Sequence, residues 1–327
     1  MIIGGAGQAG RDHRLTRDGS PAPPRVHTFA CGSKGHSTTI HEATGLSRSV
    51  LSSQAVVGGT CMSVLHLTAA DEPVEVTRYV FLGTWVDGFT VTSFVEAVAA
   101  WKNQRRLVLV GNHNVNSLVL YQRDPRFAGF YDELDANFID GMAVVLLARL
   151  LGVKVSAEHR IAVLDWIWPL CARAEAEGWN IVHLGGSQAI LDAASARLLE
   201  RHPRLQLTTL CGFFDVHSPQ ANEEVLAKIR VARPSVLLIG MGMPRQELWL
   251  LENIDRLPPC VVVTVGGILS FIGGDRPTAP RRLGSLGLEW LFRLATEPRR
   301  LWRRYLIEPF GLAPAVGAAL LVRLLRR

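Results

Sequence analysis

The sequence has little that would support a metal centre or a disulfide framework. Its five cysteines are odd in number, and no two of them have the C-x-x-C spacing of zinc or redox sites. Scattered cysteines of this kind are typical of reduced intracellular proteins. We therefore predict neither a structural disulfide nor a zinc site. The cysteines are Cys31, Cys61, Cys171, Cys211 and Cys260.

The common nucleotide-binding fingerprints are also missing. There is no G-x-x-x-x-G-K-[ST] segment, which excludes a P-loop. None of the glycine turns after predicted strands has the third glycine of a dinucleotide site, so a nicotinamide-dependent oxidoreductase is a weak alternative. No D-x-D pair is present to chelate the metal of a sugar nucleotide. We predict no cofactor and no metal.

The N-terminal region lacks both a signal segment and a hydrophobic period. The sequence near the N-terminus has no apolar run of the kind found in secretory signals. Residues 1–75 are rich in Gly, Ser, Thr, Pro, Arg and His. We predict that they form a disordered extension without a function of its own. The alternative is upstream sequence that is not translated, with Met62 as the start.

From residue 76 to residue 280, strand patterns alternate with helical patterns. This alternation predicts an α/β core with a parallel sheet and helices on both faces. The strand patterns are Arg78–Gly83, Leu107–Val110, Phe138-Ile139, Asn180–Leu184, Gln206–Leu210, Ser235–Gly240 and Cys260–Val265. The helical patterns are Thr92–Trp101, Leu118–Tyr121, Met142–Leu151, Ala189–Arg201, Glu223–Ala232 and Arg245–Asn253.

Three of the predicted strands end in glycine turns: Gly185-Gly186, Gly240-x-Gly242 and Gly266-Gly267. Glycine lets backbone amides approach a phosphate, and helix N-termini favour anions. Such turns are often purely structural, but three at one sheet edge favour a nucleotide diphosphate ligand. Gln246 and Glu247 begin the helix after the second turn. They are either ordinary first-turn residues or substrate-binding residues, with the amide of Gln246 hydrogen-bonding a sugar or base.

Asp140 is the strongest candidate for a reacting group. It ends a short apolar strand pattern and precedes Gly141, whose conformational freedom lets Asp140 face the same cleft as Asn112 and Asn114. Those asparagines follow a buried strand, at the edge where open α/β sheets bind ligands. The alternative is that Asp140 only caps the helix Met142–Leu151.

The chain becomes strongly basic after residue 280. Residues 281–327 contain ten arginines, three glutamates and no lysine, a net charge of +7. Leu, Trp and Tyr interleave with the arginines at helical spacing, which indicates an amphipathic helix on an anionic membrane surface. The alternative is a basic helix packed on the core. The wealth of Leu and Trp argues against nucleic acid. The apolar stretch Phe310–Val322 has 13 residues, too few to span a bilayer.

Several sequence blocks, in a fixed order, carry a family resemblance. The most specific are Pro244-Arg245-Gln246-Glu247 and Leu288-Glu289-Trp290-Leu291-x-Arg293. With these blocks the chain resembles the WecG/TagA/CpsF glycosyltransferase family, from about Tyr79 to Tyr305. The other matching blocks are Asn114 with Leu118, Asp140-Gly141, Leu184-Gly185-Gly186, Gly212-Phe213-Phe214, Gly242, Val265-Gly266, Ala279-Pro280 and Glu297-Pro298-Arg299-Arg300.

The resemblance implies a Rossmann-like fold and a specific reaction. That reaction is inverting, metal-independent transfer of a hexose or N-acetylhexosamine from a UDP-sugar to a polyprenyl-diphosphate-linked sugar. It would serve exopolysaccharide or cell-wall polymer synthesis, with the enzyme peripheral on the inner face of the cell membrane. By resemblance, Asp140 is the catalytic base. By resemblance too, Asn114, Arg160 and Gln246 contact substrate, and three C-terminal arginines cover the site and bind diphosphate: Arg293, Arg300 and Arg303.

The sequence departs from the family pattern at four positions. Asn112 replaces a threonine, Val163 a glycine, Ser270 an aspartate and Thr278 an arginine. Asn112 can still hydrogen-bond a sugar, so it stays a candidate catalytic residue. Ser270 lacks a charge, so its contacts to nucleotide or donor sugar differ, and the donor is open between N-acetylmannosamine, glucose and another hexose. These departures motivate a second hypothesis, a catalytically inactive scaffold that binds lipid-linked intermediates. The sequence leaves homo-oligomer formation open.

Overall fold

The computed structural model describes residues 52–57, 60–68, 73–280, 283–284 and 287–325, with side chains from residue 75 onward. All of them belong to one compact unit, Ser49–Arg327. Most of the extension that we predicted to be disordered lies outside these ranges. Two described strands lie within this extension, Ser52–Val57 and Thr60–Thr68, and there the structure differs from the prediction.

These two strands begin a four-stranded antiparallel sheet at the N-terminal side of the core. Its strands pair in sequence order. Asp87 connects this sheet to the core, because its carboxylate accepts the backbone N–H of Asn137 at 3.0 Å; within the sheet the same carboxylate pairs with Arg78 at 2.7 Å. The strands are β1 (Ser52–Val57), β2 (Thr60–Thr68), β3 (Pro73–Phe81) and β4 (Thr84–Asp87).

The core is a six-stranded sheet in which every neighbouring pair is parallel, in the order β6-β5-β10-β9-β7-β8. This confirms the predicted parallel sheet. Its central strands are rich in Val, Ile and Leu and fully buried, as expected when helices cover both faces. The strands are β5 (Val108–His113), β6 (Ala136–Ile139), β7 (Asn180–Leu184), β8 (Gln206–Leu210), β9 (Val236–Ile239) and β10 (Val261–Thr264).

Helices pack on both faces of this sheet, as predicted. One hydrophobic cluster joins the sheet to α1, α5, α6 and α9, and a second joins the other face to α3, α7 and α8. The first group is α1 (Val91–Lys102), α5 (Val163–Glu177), α6 (Gln188–Arg201) and α9 (Ile268–Ile272). The second group is α3 (Pro125–Asp132), α7 (Pro219–Ala232) and α8 (Arg245–Asn253).

One helix, α3, was not predicted, because the charged segment Arg123-Asp124-Pro125-Arg126 has the residues of a turn. The turn is real but short, because Asp124 ends α2 (Val115–Arg123) and caps α3. The Asp124 carboxylate accepts the backbone N–H of Arg126 at 2.9 Å, and Pro125 suits the first helical position. A third hydrophobic cluster packs α2 and α4 (Met142–Leu150) against β3 and β4.

The C-terminal arm, residues 287–325, is helical almost throughout. It consists of α10 (Glu289–Thr296), α11 (Pro298–Leu306), a 3-10 turn (Glu308–Leu312) and α12 (Ala313–Leu325). Taken as one run, Pro298–Leu325 has 28 residues and is long and apolar enough to cross a membrane, by length and composition only. We predicted that the 13-residue apolar stretch Phe310–Val322 is too short to span a bilayer. The longer helical run that contains it does not have this limit of length.

Several described contacts attach the arm to the core, and two of them lie at and beyond its 3-10 turn. Leu312 is buried in the cluster that includes Leu118 and Val144. Further along, the Arg323 guanidinium donates to the backbone carbonyl of Leu150 at 2.7 Å. The 3-10 turn at Pro309 and Gly311 lies between α11 and α12, so the run is two helices joined by a tighter turn.

Candidate active site

A cavity of about 800 Å³ lies at the edge of the sheet where the parallel strands end. Turns that follow β5, β6, β7, β9 and β10 line it, and the arm contributes the wall across from them. Ten of our thirteen candidate residues line this cavity, so the structure brings most of them together. These ten are Asn112, Asn114, Asp140, Arg160, Gly186, Gly242, Gln246, Ser270, Arg293 and Arg300.

Asp140 faces the cavity from the end of β6. Its backbone N–H donates to the carbonyl of His113 at 2.8 Å, which extends the pairing of β6 with β5 by one residue. Gly141 follows with φ +122°, a conformation that favours glycine. The residue at the N-cap of α4 is Gly141, and no side chain caps this helix. The capping alternative for Asp140 is therefore wrong.

The surroundings of Asp140 raise the pKa of its carboxyl group. Burial is the largest cause, and the negative charge of Glu289 adds to it. The charge of Arg293, a hydrogen bond from Asn114 and the charge of Arg160 act in the opposite direction. A carboxylate with a raised pKa is a better proton acceptor than an ordinary surface carboxylate. The site therefore contains a group with the chemistry of a general base.

The two asparagines at the end of β5 have different partners. Asn112 is buried, and its amide nitrogen donates to the carbonyl and hydroxyl oxygens of Thr264 at 3.0 and 3.1 Å. Its Oδ1 atom has no hydrogen-bond donor among the described protein groups. Asn114 caps α2, since its Oδ1 accepts the backbone N–H of Ser117 at 3.1 Å. Its side chain also hydrogen-bonds Asp140 and lies 4.0 Å from the sulfur of Met243. Of these two side chains, Asn112 is the one with an unpartnered amide atom beside the cavity.

The glycine turns are packed tightly against one another. A Cβ atom on Gly185 would lie 2.3 Å from the carbonyl oxygen of Gly240, and one on Gly212 would lie 2.6 Å from the Cα atom of Gly185. Gly185 therefore spaces the turns and does not line the cavity, which corrects its assignment as a ligand contact. Gly186, with φ +78°, does line the cavity.

Gln246 holds two of these turns together. Its Oε1 atom accepts the backbone N–H groups of Gly242 and Gly266, both at 3.2 Å, and its Nε2 atom donates to Glu247 at 2.8 Å. The side chain is fully buried. We expected Gln246 to offer its amide to a sugar or base, but these contacts use its oxygen within the protein. Gln246 therefore positions the turns after β9 and β10.

Glu247 lies behind the cavity wall and does not line it, which corrects a second assignment. It is buried, and its Oε2 atom has no partner among the described groups. Burial raises the pKa of Glu247 to about 7, and the hydrogen bond from Gln246 offsets this only in part. Its carboxyl group is therefore partly protonated near neutral pH.

We expect Glu247 to make folding stability depend on pH. The pKa of its carboxyl group rises from 4.5 to about 7 on folding. Protonation of Glu247 therefore adds to the free energy of unfolding, fully below about pH 4.5, and this addition is lost as pH rises to about 7. The loss should be about 3 kcal/mol. Urea unfolding at pH 4.5, 6 and 8 should show this decline in the wild type and a flatter profile in Glu247→Gln. Parallel profiles for the two proteins would contradict the assignment.

The cavity wall is strongly cationic. Six arginines and three carboxylates line it, a net charge of +3 among the described lining residues. Several arginines have carboxylate partners: Arg160 with Asp165 at 3.1 Å, Arg293 with Glu289 at 2.7 Å. Guanidinium groups in a half-buried cavity bind phosphates and carboxylates well. The six arginines are Arg160, Arg245, Arg276, Arg293, Arg300 and Arg304.

The structure corrects our assignment of Arg303 to the cavity. It is exposed, its guanidinium lies over the ring of Trp302 at 5.4 Å, and it does not line the cavity. Arg304 lines the cavity in its place. Arg293, Arg300 and Arg304 are spaced by seven and four residues, which keeps them on one side of the arm, whereas Arg303 lies about 100° away from Arg304 around the axis of α11. The helical period in the sequence could have identified Arg304.

Five further lining residues were not among our candidates. Arg245 and Glu289 lie in matching sequence blocks but were not selected, and Asp165, Trp168 and Arg276 lie outside those blocks. Ser270, one of the four departures from the family pattern, also lines the cavity, and its backbone carbonyl accepts the N–H of Arg276 at 3.0 Å. No cluster of three or more His, Cys, Asp or Glu side chains suited to a metal ion occurs in the described part of the chain.

The cavity lies at the carboxyl ends of a doubly wound parallel sheet and is lined by glycine turns and arginines, which defines an α/β protein with a site suited to anionic ligands. Comparison with known families gives this class its identity. Residues 79–325 match the model of the glycosyl transferase WecG/TagA/CpsF family, and the chain belongs to this family. The predicted family is thus confirmed, and the protein is a glycosyltransferase.

Individual relatives are distant but cover most of the molecule. The chain is 25% identical over 243 residues to the N-acetylglucosaminyldiphosphoundecaprenol N-acetyl-beta-D-mannosaminyltransferase of Staphylococcus aureus (strain NCTC 8325 / PS 47), which is 71% of this chain and 90% of that protein. The protein of the same name from strain MRSA252 matches with the same identity and coverage.

Proposed function

We propose that this protein transfers a hexose or N-acetylhexosamine from a UDP-sugar to a polyprenyl-diphosphate-linked sugar, with inversion at the anomeric carbon. The observation that carries this proposal is Asp140, a carboxyl group of raised pKa in an arginine-lined cavity between glycine turns. The names of the Staphylococcus aureus relatives describe a sugar transfer to a diphosphoundecaprenol-linked acceptor.

The proposed reaction is a single displacement. The acceptor hydroxyl oxygen forms a bond to the anomeric carbon while the bond from that carbon to the diphosphate oxygen breaks. Asp140 takes the hydroxyl proton, and UDP leaves with the electron pair of the broken bond. Asn112, whose Oδ1 atom has no donor among the described groups, and Asn114, which hydrogen-bonds Asp140, would contact the sugars beside Asp140.

The leaving diphosphate gains negative charge in the transition state, so it needs donors that are already in place. Arg293, Arg300 and Arg304 line the cavity from the arm, and the turns at Gly186 and Gly242 line it from the sheet. Guanidinium forks can stabilise a diphosphate without a metal ion. We propose that donor binding uses both walls and that no divalent cation is required.

The proposed acceptor is a lipid, and the arm has a surface suited to a membrane. Large apolar side chains are exposed on it next to exposed arginines, as in helices that lie on anionic bilayers. We propose that the protein is peripheral on the inner face of the cell membrane. The exposed apolar residues of the arm are Leu288, Trp290, Leu291, Trp302, Leu306, Ile307, Phe310, Leu321, Val322, Leu324 and Leu325.

We expect the full chain to sediment with vesicles containing phosphatidylglycerol and to do so less at high salt, since the arginines contribute through screened charges. Trp302→Ala combined with Phe310→Ala should weaken partitioning about tenfold or more, because each exposed ring would lose its contact with lipid. Val231→Ala, which truncates an exposed apolar residue on α7, is the matched control and should bind like the wild type. Equal binding by all three proteins would contradict the proposed surface.

The direct test is turnover with a panel of radiolabelled UDP-sugars and a polyprenyl-diphosphate-linked acceptor in vesicles, with and without EDTA. Product formation from one or more donors that is unaffected by EDTA would support the proposal. Binding of the lipid-linked acceptor without turnover of any donor would favour the inactive scaffold, which the departures at Asn112, Ser270 and Thr278 first suggested.

A further inference from the structure

The arm carries one carboxylate into the cavity, Glu289, at the start of α10. Its Oε1 atom lies 2.7 Å from a terminal nitrogen of Arg293, one helical turn further along. Its Oε2 atom lies 4.0 Å from Nη1 of Arg160, which belongs to the core. Asp140 lines the same cavity. Glu289 therefore connects an arginine of the arm with an arginine of the core beside Asp140.

Arg160 is also held from the core side. Its Nη2 atom lies 3.1 Å from Oδ2 of Asp165, and that oxygen accepts the backbone N–H of Ala162 at 2.9 Å. Asp165 is thus fixed by the chain around it, whereas the described partners of the Glu289 carboxylate are both arginines. Glu289 is the carboxylate on which the position of Arg293 depends most directly.

Asp140 itself forms no ion pair within 4.0 Å with any residue that the structure describes. An arginine paired directly with a carboxylate stabilises the charged form and makes it a weaker base. Arg293 and Arg160 are two cavity arginines whose charges lower the pKa of Asp140, and both are engaged by Glu289. A free Asp140 carboxylate is what proton removal from an acceptor requires.

We propose that Glu289 is a positioning residue for the sugar transfer: it holds Arg293 and Arg160 away from Asp140, so that the carboxylate stays free to accept a proton. This inference rests on the proposed function of Asp140. The electrostatics agree with the geometry. Burial raises the pKa of Asp140 most, the charge of Arg293 lowers it and the charge of Glu289 raises it. Asn114 and Arg160 lower it by smaller amounts. Arg304 on α11 also faces Asp140.

The test measures the Asp140 carboxyl group directly, without relying on turnover. Full-length protein labelled with ¹³C at the Asp carboxyl carbons is titrated by NMR, and the Asp140 signal is identified by its loss in Asp140→Asn. In Glu289→Gln we expect the titration midpoint of Asp140 to move to lower pH, because Arg293 is released towards it. The shorter Glu289→Asp should restore part of the shift.

Glu297→Gln is the matched control. Glu297 is another carboxylate of the arm that pairs with cavity arginines, Arg300 at 2.6 Å and Arg276 at 3.6 Å, but it is not among the groups that act on Asp140. We expect its removal to leave the Asp140 midpoint in place. In turnover assays, Glu289→Gln should lower kcat more than it changes the donor KM and should move the acidic limb of the rate profile to lower pH.

An Asp140 midpoint in Glu289→Gln equal to that of the wild type would overturn the proposal, even if activity fell. A shifted midpoint in a protein that turns over no donor sugar would support the role of Glu289 in setting the state of Asp140. That outcome would reject the transferase reaction on other grounds, so the two failures are distinguishable.

Discussion

Asp140→Asn is expected to lower kcat by about 10²–10⁴-fold, the usual contribution of a general base. Asparagine has nearly the same shape but cannot take the acceptor proton. Because Asp140 does not cap α4 and forms no ion pair with a described residue, we expect the fold and the binding of UDP to persist. The measurement is single-turnover transfer to the lipid-linked acceptor, together with thermal unfolding.

Asp165→Asn is the comparison for this result. Asp165 is another carboxylate of the same cavity, but it is engaged by Arg160 and by the backbone of Ala162. Its loss should reduce kcat much less than the loss of Asp140. Full activity of Asp140→Asn, or equal losses in both variants, would remove Asp140 from the role of base.

Arg304→Ala is expected to lower kcat about 100-fold or more, whereas Arg303→Ala should leave turnover nearly unchanged. The two substitutions remove the same charge from adjacent positions of α11. Only Arg304 lines the cavity; Arg303 is exposed beside Trp302. Steady-state kinetics in vesicles of fixed composition should separate the two variants.

Vesicle binding provides the complementary readout. Arg303→Ala should weaken adsorption to anionic vesicles, since an exposed arginine near a charged surface contributes about 1 kcal/mol. Arg304→Ala should affect adsorption less than it affects kcat. If Arg303→Ala instead abolished turnover at saturating lipid, the orientation of α11 described above would be wrong.

Much of the fold followed from the periodicity of apolar residues. The strands Val108–His113, Val236–Ile239 and Val261–Thr264 are short apolar runs that end at glycine or polar residues, and such runs identify buried parallel strands. The sheet order could not be read in the same way, since it depends on which strands pair after the helices cross over. The helix α3 was missed because Pro125 looks like a turn residue and is also a good first residue of a helix.

The site was predicted better in its backbone than in its side chains. Glycines and Asp140 are marked by local sequence, because turns and strand ends leave a local pattern. The roles of Gln246 and Glu289 depend on contacts between segments distant in the sequence. Gln246 contacts Gly266, and Glu289 approaches Arg160. No local pattern distinguishes an amide that faces a ligand from one that joins two turns.

The excess of arginines in the cavity wall has a consequence for the end of the proposed cycle. A sugar ester of UDP carries less negative charge than the free UDP that the reaction releases. Attraction to a wall of net charge +3 grows with the charge of the ligand, so the spent nucleotide is held more firmly than the fresh donor. Dissociation of UDP, and not formation of the glycosidic bond, would then be the rate-limiting step.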